Sequence, residues 1–376
     1  MMRIAIEAQR IFRPNKHGMD FVALEVIREL QKMDKENEYF IIVNPDSDRC
    51  LKESENVHIV ELKCPTYPLW EQIALPRYIK KLKPDLLHCT SNTAPLFCSV
   101  PLVLTLHDII YLEKRQSASK SFYQEMGWYY RRLVVPRILP KCERIITVSN
   151  FEKGRIGKSL HIPNDKLLAI YNGYNPHFCV LPKDKATLRK YIEQDPYIFF
   201  LGNTDPKKNT PRVLRAYDIY LQRSDKKLPM LIADLDETFI DKILENENLT
   251  GIKKDLRFPG YIANSDLPAL YNAASVFLYP SLRESFGIPM LEAMACGTPL
   301  IAGDTSAMPE IAGEGALLVN PFSEKDIAEK LLALEKDDKL YQRQVDYGLQ
   351  RVKQFSWKNS AESLLKVYKE VAGKEK

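Results

Sequence analysis

The sequence predicts an α/β fold of two Rossmann-like domains, each a parallel sheet covered by helices, and three observations predict it. Short apolar strands alternate with helical patterns from one end of the chain to the other, as right-handed β-α-β units require. The length of 376 residues corresponds to two or three domains, and a hydrophobic content of 45% supplies each with a core. The alternation lapses once, between residues 175 and 195, into Asn175-Pro176, Leu181-Pro182-Lys183-Asp184-Lys185 and Asp195-Pro196, a turn-rich, charged stretch typical of a linker.

In the first half, apolar runs predict strands over residues 4–6, 40–43, 58–62, 86–88, 102–106 and 145–148. Between them, residues 21–33 form an amphipathic pattern after a turn at Gly18, and Ser149 is placed to cap a helix running from Phe151. The second half opens with a strand over 198–201 and continues with strands over 229–233, 276–279 and 299–302 and a helix over 211–222. A last amphipathic helix opens at Ser356-Trp357 and carries Leu364, Val367 and Val371 on one face. The expected division is a first domain over 1–180, a second over 181–355, and a terminal helix over 356–376.

Composition narrows the function. The start Met1-Met2-Arg3-Ile4-Ala5-Ile6-Glu7 is too soon interrupted by charge for a signal peptide, and no apolar run reaches about 18 residues, so a cytoplasmic protein is expected. Seven scattered cysteines without a C-x-x-C pair argue against a disulfide framework and a zinc site. Residues 1–180 carry 26 Lys and Arg against 20 Asp and Glu, so the net excess of positive charge lies in that half. Such a bias suits an anionic membrane surface or a diphosphate-linked acceptor, and equally an ordinary solvated surface. No basic stripe interleaved with aromatics speaks for nucleic acid.

The segment from Pro280 to Asp304, PSLRESFGIPMLEAMACGTPLIAGD, carries the chemistry. Glu284 and Glu292 stand eight residues apart around the loop Ser285-Phe286-Gly287-Ile288-Pro289. Glycine permits a tight backbone and proline favours a helix's first turn, so a helix starts here with free N–H groups and the positive end of its dipole. That end suits a diphosphate, whereas Glu292, about one turn inside, suits paired hydroxyls. Taken alone, the two acids would be surface residues. The flanking strands instead put them at strand C-terminal ends, where α/β sheets bind ligands.

Here the sequence resembles the retaining glycosyltransferases of family 4, which share this E-x7-E segment. The resemblance implies a GT-B fold, with two domains facing a cleft and a terminal helix crossing back to the first domain. It also implies a nucleotide sugar as donor, held mainly by the second domain, with no cofactor and no metal. Glu292 would hold the ribose, Glu284 and His107 the transferred sugar, and the Ser285, Phe286, Gly287 and Ile288 loop its remaining hydroxyls through the backbone. In Gly202-Asn203-Thr204-Asp205-Pro206-Lys207-Lys208, Lys208 matches the family's phosphate-binding lysine. Asn203 stands where the family has an arginine, leaving Lys207 as the nearest second cation. Tyr261 and Ile262 match the segment whose backbone reads the base.

In the first domain the resemblance gives His107, after the strand at 102–106, and Gly18 in the acceptor loop, and Asp108, next in the chain, is expected as the orienting neighbour of His107. Asp234-Leu235-Asp236 has the form of a metal-binding D-x-D, but it ends a strand away from the E-x7-E unit, and this fold needs no such metal. The whole chain looks most like bacterial mannosyltransferases of surface polysaccharides, which implies GDP-mannose as donor, with UDP-hexoses as the alternative. A glycan or undecaprenyl-diphosphate-linked acceptor follows, at the inner face of the cytoplasmic membrane. The aromatic, basic and aliphatic mixture over residues 128–137 is where lipid contact is expected. A dinucleotide oxidoreductase is disfavoured, because Glu7-Ala8-Gln9-Arg10-Ile11 replaces the glycine-rich fingerprint. A catalytically silent subunit of the same fold is the other alternative, and it rests on Asn203.

Overall fold

The computed structural model describes residues 1–112, 122–193 and 196–373. The chain forms two compact units, Met1–Asn172 together with the helix Trp357–Gly373, and Gly173–Ser356. In the first unit, β1 (Arg3–Glu7), β2 (Glu38–Val43), β3 (Val57–Glu61), β4 (Leu86–Cys89), β5 (Leu102–Thr105), β6 (Cys142–Thr147) and β7 (Leu167–Ala169) form one parallel sheet. Its order is β3-β2-β1-β4-β5-β6-β7, so the strand order reverses between β1 and β4. In the second unit, β8 (Ile198–Leu201), β9 (Met230–Ala233), β10 (Leu256–Arg257), β11 (Val276–Tyr279), β12 (Leu300–Gly303) and β13 (Ala316–Val319) form a parallel sheet in the order β10-β9-β8-β11-β12-β13. The short β7, β10 and β13 are additions to the predicted set.

Each sheet is buried on both faces, as parallel sheets are. On one face of the first, Leu24, Ile27 and Leu30 of helix Gly18–Met33 share a core with Leu364, Val367, Tyr368 and Val371 of the terminal helix. On the other, Leu75 and Ile79 meet Val134, Val135 and Ile138 of helix Phe122–Ile138. The second unit packs Val213, Leu214 and Tyr217 of helix Thr210–Arg223 against Ile327 and Leu331 of helix Glu324–Lys336.

Two expectations need correction. The units divide at 172/173, not at 180/181, because the polar stretch after Gly173 is anchored to the second unit. Phe178 meets Tyr271 edge-on with ring centroids 5.8 Å apart, and Asn272 brackets the chain by accepting from Leu181 N at 2.8 Å and donating to the Cys179 carbonyl at 2.9 Å. Asp195, part of the predicted linker, lies outside the described residues, as do residues 374–376 of the terminal segment. Gly18 is no turn. It is the first residue of its helix, exposed and with open space where a Cβ would sit, and the helix start is fixed instead by Asp20, whose carboxylate accepts from His17 N at 2.7 Å.

Candidate donor site

β8 and β11 are neighbours in the sheet, so the loops that leave their C-terminal ends run side by side. Gly202 begins the first loop because a Cβ there would come within 2.4 Å of Leu235 Cδ1. The Asp205 carboxylate then accepts from Lys207 N at 3.0 Å and starts the 3-10 turn Pro206–Lys208. Asn209 follows in the left-handed region at φ 65°, and its amide donates to the carbonyls of Pro280 at 3.0 Å and Pro321 at 2.6 Å. Together with the bond from Leu282 N to the Lys207 carbonyl at 2.7 Å, these contacts stitch the two loops together.

The stitching brings Lys208 to Glu284. Lys208 is only 8% exposed, and its Nζ lies 2.8 Å from Glu284 Oε1, 2.9 Å from the Tyr279 hydroxyl and 4.4 Å from the centre of the Tyr279 ring. Burial alone would raise the Glu284 carboxyl, but Lys208, Lys207 and the Tyr279 hydroxyl together hold it below the ordinary glutamate range. The backbone is fixed as well: Glu284 N donates to Ser306 Oγ at 2.9 Å, and Ala307 N donates to the Glu284 carbonyl at 3.3 Å.

Gly287 caps the following helix, Ile288–Ala295, at φ 92°, a conformation that strains any residue with a side chain. A Cβ there would also approach Met290 Cε to 2.8 Å. Glu292 sits one turn in, half-buried, with the Tyr271 hydroxyl donating to its Oε2 at 3.3 Å. Burial raises its carboxyl to about 7, and the Tyr271 bond opposes the rise only in part. The two acids are thus placed differently: Glu284 is ionised and paired, while Glu292 has hydroxyl company and no cation.

The other predicted residues of this unit fall around that centre. Asn203 is half-buried and accepts from Asp205 N at 2.9 Å, so it shapes its own turn and supplies no charge. Lys207 is half-buried beside Lys208 and acts on Glu284 through its field. Ser285 and Ile288 are half-buried, whereas the Phe286 ring is buried edge-on against Phe355, which leaves its backbone as the part able to meet a ligand. Ile262 is likewise buried, while Tyr261 is 87% exposed after Gly260 at φ 69°. Asp234 corrects the expectation of distance: it ends β9, next to β8, close enough for the charge of Lys208 to lower its carboxyl, although burial leaves it raised overall. Asp236 instead caps a helix, accepting from Thr238 N at 2.8 Å.

In the first unit, His107 is buried at the end of β5 and faces a small cavity shared with His88, Thr90 and Tyr368. Its Nε2 lies 3.0 Å from the Thr90 carbonyl and therefore carries the proton, leaving Nδ1 as the acceptor. Burial lowers its pKa, so the ring is neutral at neutral pH. Asp108 does not hydrogen-bond it, contrary to expectation, because its carboxylate closes a turn by accepting from Ile110 N at 3.0 Å. The residue is held instead by Thr90 and by Asn92, whose Oδ1 accepts from His107 N at 2.6 Å.

Sequence reasoning missed four groups. Tyr271 and Tyr279 read as core aromatics. Glu7 and Glu71 stand as single acids in the sequence, yet both are fully buried, Glu7 at the C-terminal end of β1 and Glu71 close enough for its charge to act on Glu7. Burial raises Glu7 to about 7 while its carboxylate accepts from Gln9 N at 3.0 Å and Thr90 N at 3.1 Å; Glu71, also raised by burial, is ringed by Thr93, Tyr130, Tyr67 and Gln72.

Two family models cover most of the chain: Glycosyltransferase Family 4 matches residues 17–178, and Glycosyl transferases group 1 matches residues 184–351. The chain belongs to the family 4 glycosyltransferases. Among relatives of this glycosyltransferase, the O-antigen chain mannosyltransferase B of Escherichia coli is 29% identical over 239 residues, 61% of each chain. The serotype-specific mannosyltransferase WbdA of Escherichia coli is 27% identical over 266 residues, 69% of this chain and 32% of that one. The matched stretch therefore spans less than two thirds of the first relative and about a third of the second. Among solved structures, a glycosyltransferase from Rickettsia africae superposes with a TM-score of 0.75 at 18% identity over 98% of both chains. WaaG, a glycosyltransferase involved in lipopolysaccharide biosynthesis, gives 0.73 at 13% over 98% of this chain and 100% of its own. At those identities the likeness is one of fold, and the fold is GT-B.

Proposed function

We propose that this glycosyltransferase moves a hexose from a nucleoside diphosphate to a sugar hydroxyl of a growing polysaccharide, with retention of the anomeric configuration. The observation that carries the reading is the buried Lys208–Glu284 pair, 2.8 Å apart, beside a helix start at Gly287 and one turn from Glu292. Departure of a diphosphate from an oxocarbenium-like centre needs positive charge and N–H donors at the leaving oxygen. Lys208, Lys207 and backbone N–H groups near Gly287 are the groups to supply them. Glu292, having no cation, is free to take the ribose hydroxyls. Glu284 takes the transferred sugar once the diphosphate has drawn Lys208 away, and Nδ1 of neutral His107 is left as an acceptor for a sugar hydroxyl. The acceptor enters on the face the diphosphate leaves, with no covalent intermediate on a carboxylate.

Mannose from GDP-mannose is the favoured donor sugar, supported by the names of the Escherichia coli relatives. The reaction requires no metal. The acceptor is a glycan, free or linked to undecaprenyl diphosphate, and the enzyme works at the inner face of the membrane. Contact with lipid falls to helix Phe122–Ile138, where Met126, Tyr129 and Leu133 are 53%, 63% and 52% exposed at helical spacing beside Arg132 and Arg137. No helix among the described residues is long and apolar enough to cross a membrane.

The test is incubation with GDP-mannose, or UDP-glucose in parallel, and a mannose-terminated oligosaccharide in EDTA, with the new linkage assigned by NMR. An α-mannoside supports the reading. A β-linked product would overturn retention, a product from the UDP sugar alone would replace mannose, and no product with any donor would favour a silent subunit.

A further inference from the structure

Beneath the donor site lies a cluster of aromatic rings that includes two tyrosines, Tyr271 and Tyr279. Tyr271 and Phe277 meet edge-on with centroids 5.1 Å apart, Phe277 and Tyr279 stack at 5.5 Å, and Phe199 touches Tyr271 at 5.1 Å and Phe277 at 5.6 Å. All four rings are buried. A phenylalanine in place of either tyrosine would fill the same space, and a buried hydroxyl is costly unless it is bonded. Both hydroxyls are bonded to the site: Tyr279 accepts from Lys208 Nζ at 2.9 Å, and Tyr271 donates to Glu292 Oε2 at 3.3 Å.

We infer that Tyr279 and Tyr271 are the positioning residues of the donor site, Tyr279 for Lys208 and Tyr271 for Glu292, with Phe277 fixing the span between them. This rests on the donor reading above and assigns its machinery to residues outside the E-x7-E segment. A lysine carries its charge on a flexible four-carbon stem and would follow whichever anion is nearest. The anion beside it in the structure is Glu284. When an incoming diphosphate competes for the ammonium, Tyr279 holds it by a second hydrogen bond and by its ring face at 4.4 Å, so the ion pair opens without Lys208 swinging into solvent. Tyr271, for its part, orients one oxygen of Glu292 and leaves the second for hydroxyls of the ligand.

The two assignments separate in binding measurements, because only a diphosphate presents its terminal phosphate to Lys208. Affinities of GDP and GMP, with UDP and UMP in parallel, are to be measured by calorimetry for wild type, Tyr279→Phe, Lys208→Met, Tyr271→Phe, Glu292→Gln and the two matched double variants. Tyr279→Phe should weaken the diphosphate about tenfold, as for one hydrogen bond to a charged group, and leave the monophosphate unchanged. Tyr271→Phe should weaken both by about fivefold. Neither tyrosine change should add to the loss in its matched background, Lys208→Met or Glu292→Gln. Losses that multiply in the double variants, or a Tyr279→Phe loss equal for both nucleotides, would reduce the tyrosines to packing. Lys208→Met with undiminished diphosphate affinity would instead overturn the donor reading, and absence of any nucleotide binding to wild type would remove both.

Discussion

The ligand ends of the two sheets both gather carboxylates, and they treat them in opposite ways. In the first unit Glu7 and Glu71 are sealed, each accepting from groups of the protein itself. In the second, Glu284 is paired with Lys208 and Glu292 accepts from one phenol, that of Tyr271. Acids of the first kind hold loops in place, since their lone pairs are already satisfied. Under the proposed function, acids of the second kind are the ones that take a ligand, because one is paired with a mobile lysine and the other has a single phenol donor.

Substitutions can break this contrast. Glu284→Ala should have the largest effect, lowering transfer at least about a hundredfold without weakening nucleotide affinity, as expected for a group acting on the sugar in the transition state. Full transfer by that variant would remove Glu284 from the chemistry. Glu71→Ala should strand the hydroxyls of Tyr67, Tyr130 and Thr93 and cost about 3 kcal/mol of stability in urea denaturation, with nucleotide binding by the second unit intact. Weakened nucleotide binding at full stability would reverse the roles of the two regions. Glu292→Ala should cost about 1–3 kcal/mol of nucleotide affinity, and an unchanged dissociation constant would take the ribose away from it.

The smallest effect is on pH. Glu7 and Glu292 are each raised from 4.5 to about 7 by burial, so the folded chain holds protons that the unfolded chain has already released. Stability should therefore fall as pH rises from about 4.5 to about 7 and level off above it. Glu292→Gln should flatten the slope, and an equally steep fall in that variant would place the protonated acid elsewhere. Nucleotide affinity should move the other way and strengthen through the same window, since hydroxyls bond best to the ionised carboxylate.

The same contrast explains what was legible in the sequence. Glu284, Gly287, Pro289 and Glu292 sit within one loop and one helix turn, so their spacing already implied a site. Lys208 was legible because a strand end and a helix start flank it. Tyr271 and Tyr279 were not, since a tyrosine in an apolar strand or helix reads as core until its hydroxyl partner is known, and those partners lie 21 and 71 residues away. Glu7 and Glu71 come together only through the return of β4 beside β1 and the packing of the turn at Tyr67. Gly18 misled for the converse reason: a glycine before an amphipathic run suggests a required turn, but here the backbone needs no glycine. Phe178 was hidden in a polar stretch, and its ring contact with Tyr271 together with the Asn272 bonds to Cys179 and Leu181 ties that stretch to the second unit.

The most direct test of the central claim, a nucleotide-sugar site in the second unit centred on Lys208, Glu284 and Glu292, is a thermal-shift titration of the whole chain. The ligands are GDP, UDP, ADP, GDP-mannose and UDP-glucose, first in EDTA and then with magnesium. A ligand that binds only the native state raises the melting temperature. A rise with the guanosine species in EDTA, lost in Glu292→Ala, is the predicted result; no rise with any nucleotide, with or without magnesium, would contradict it.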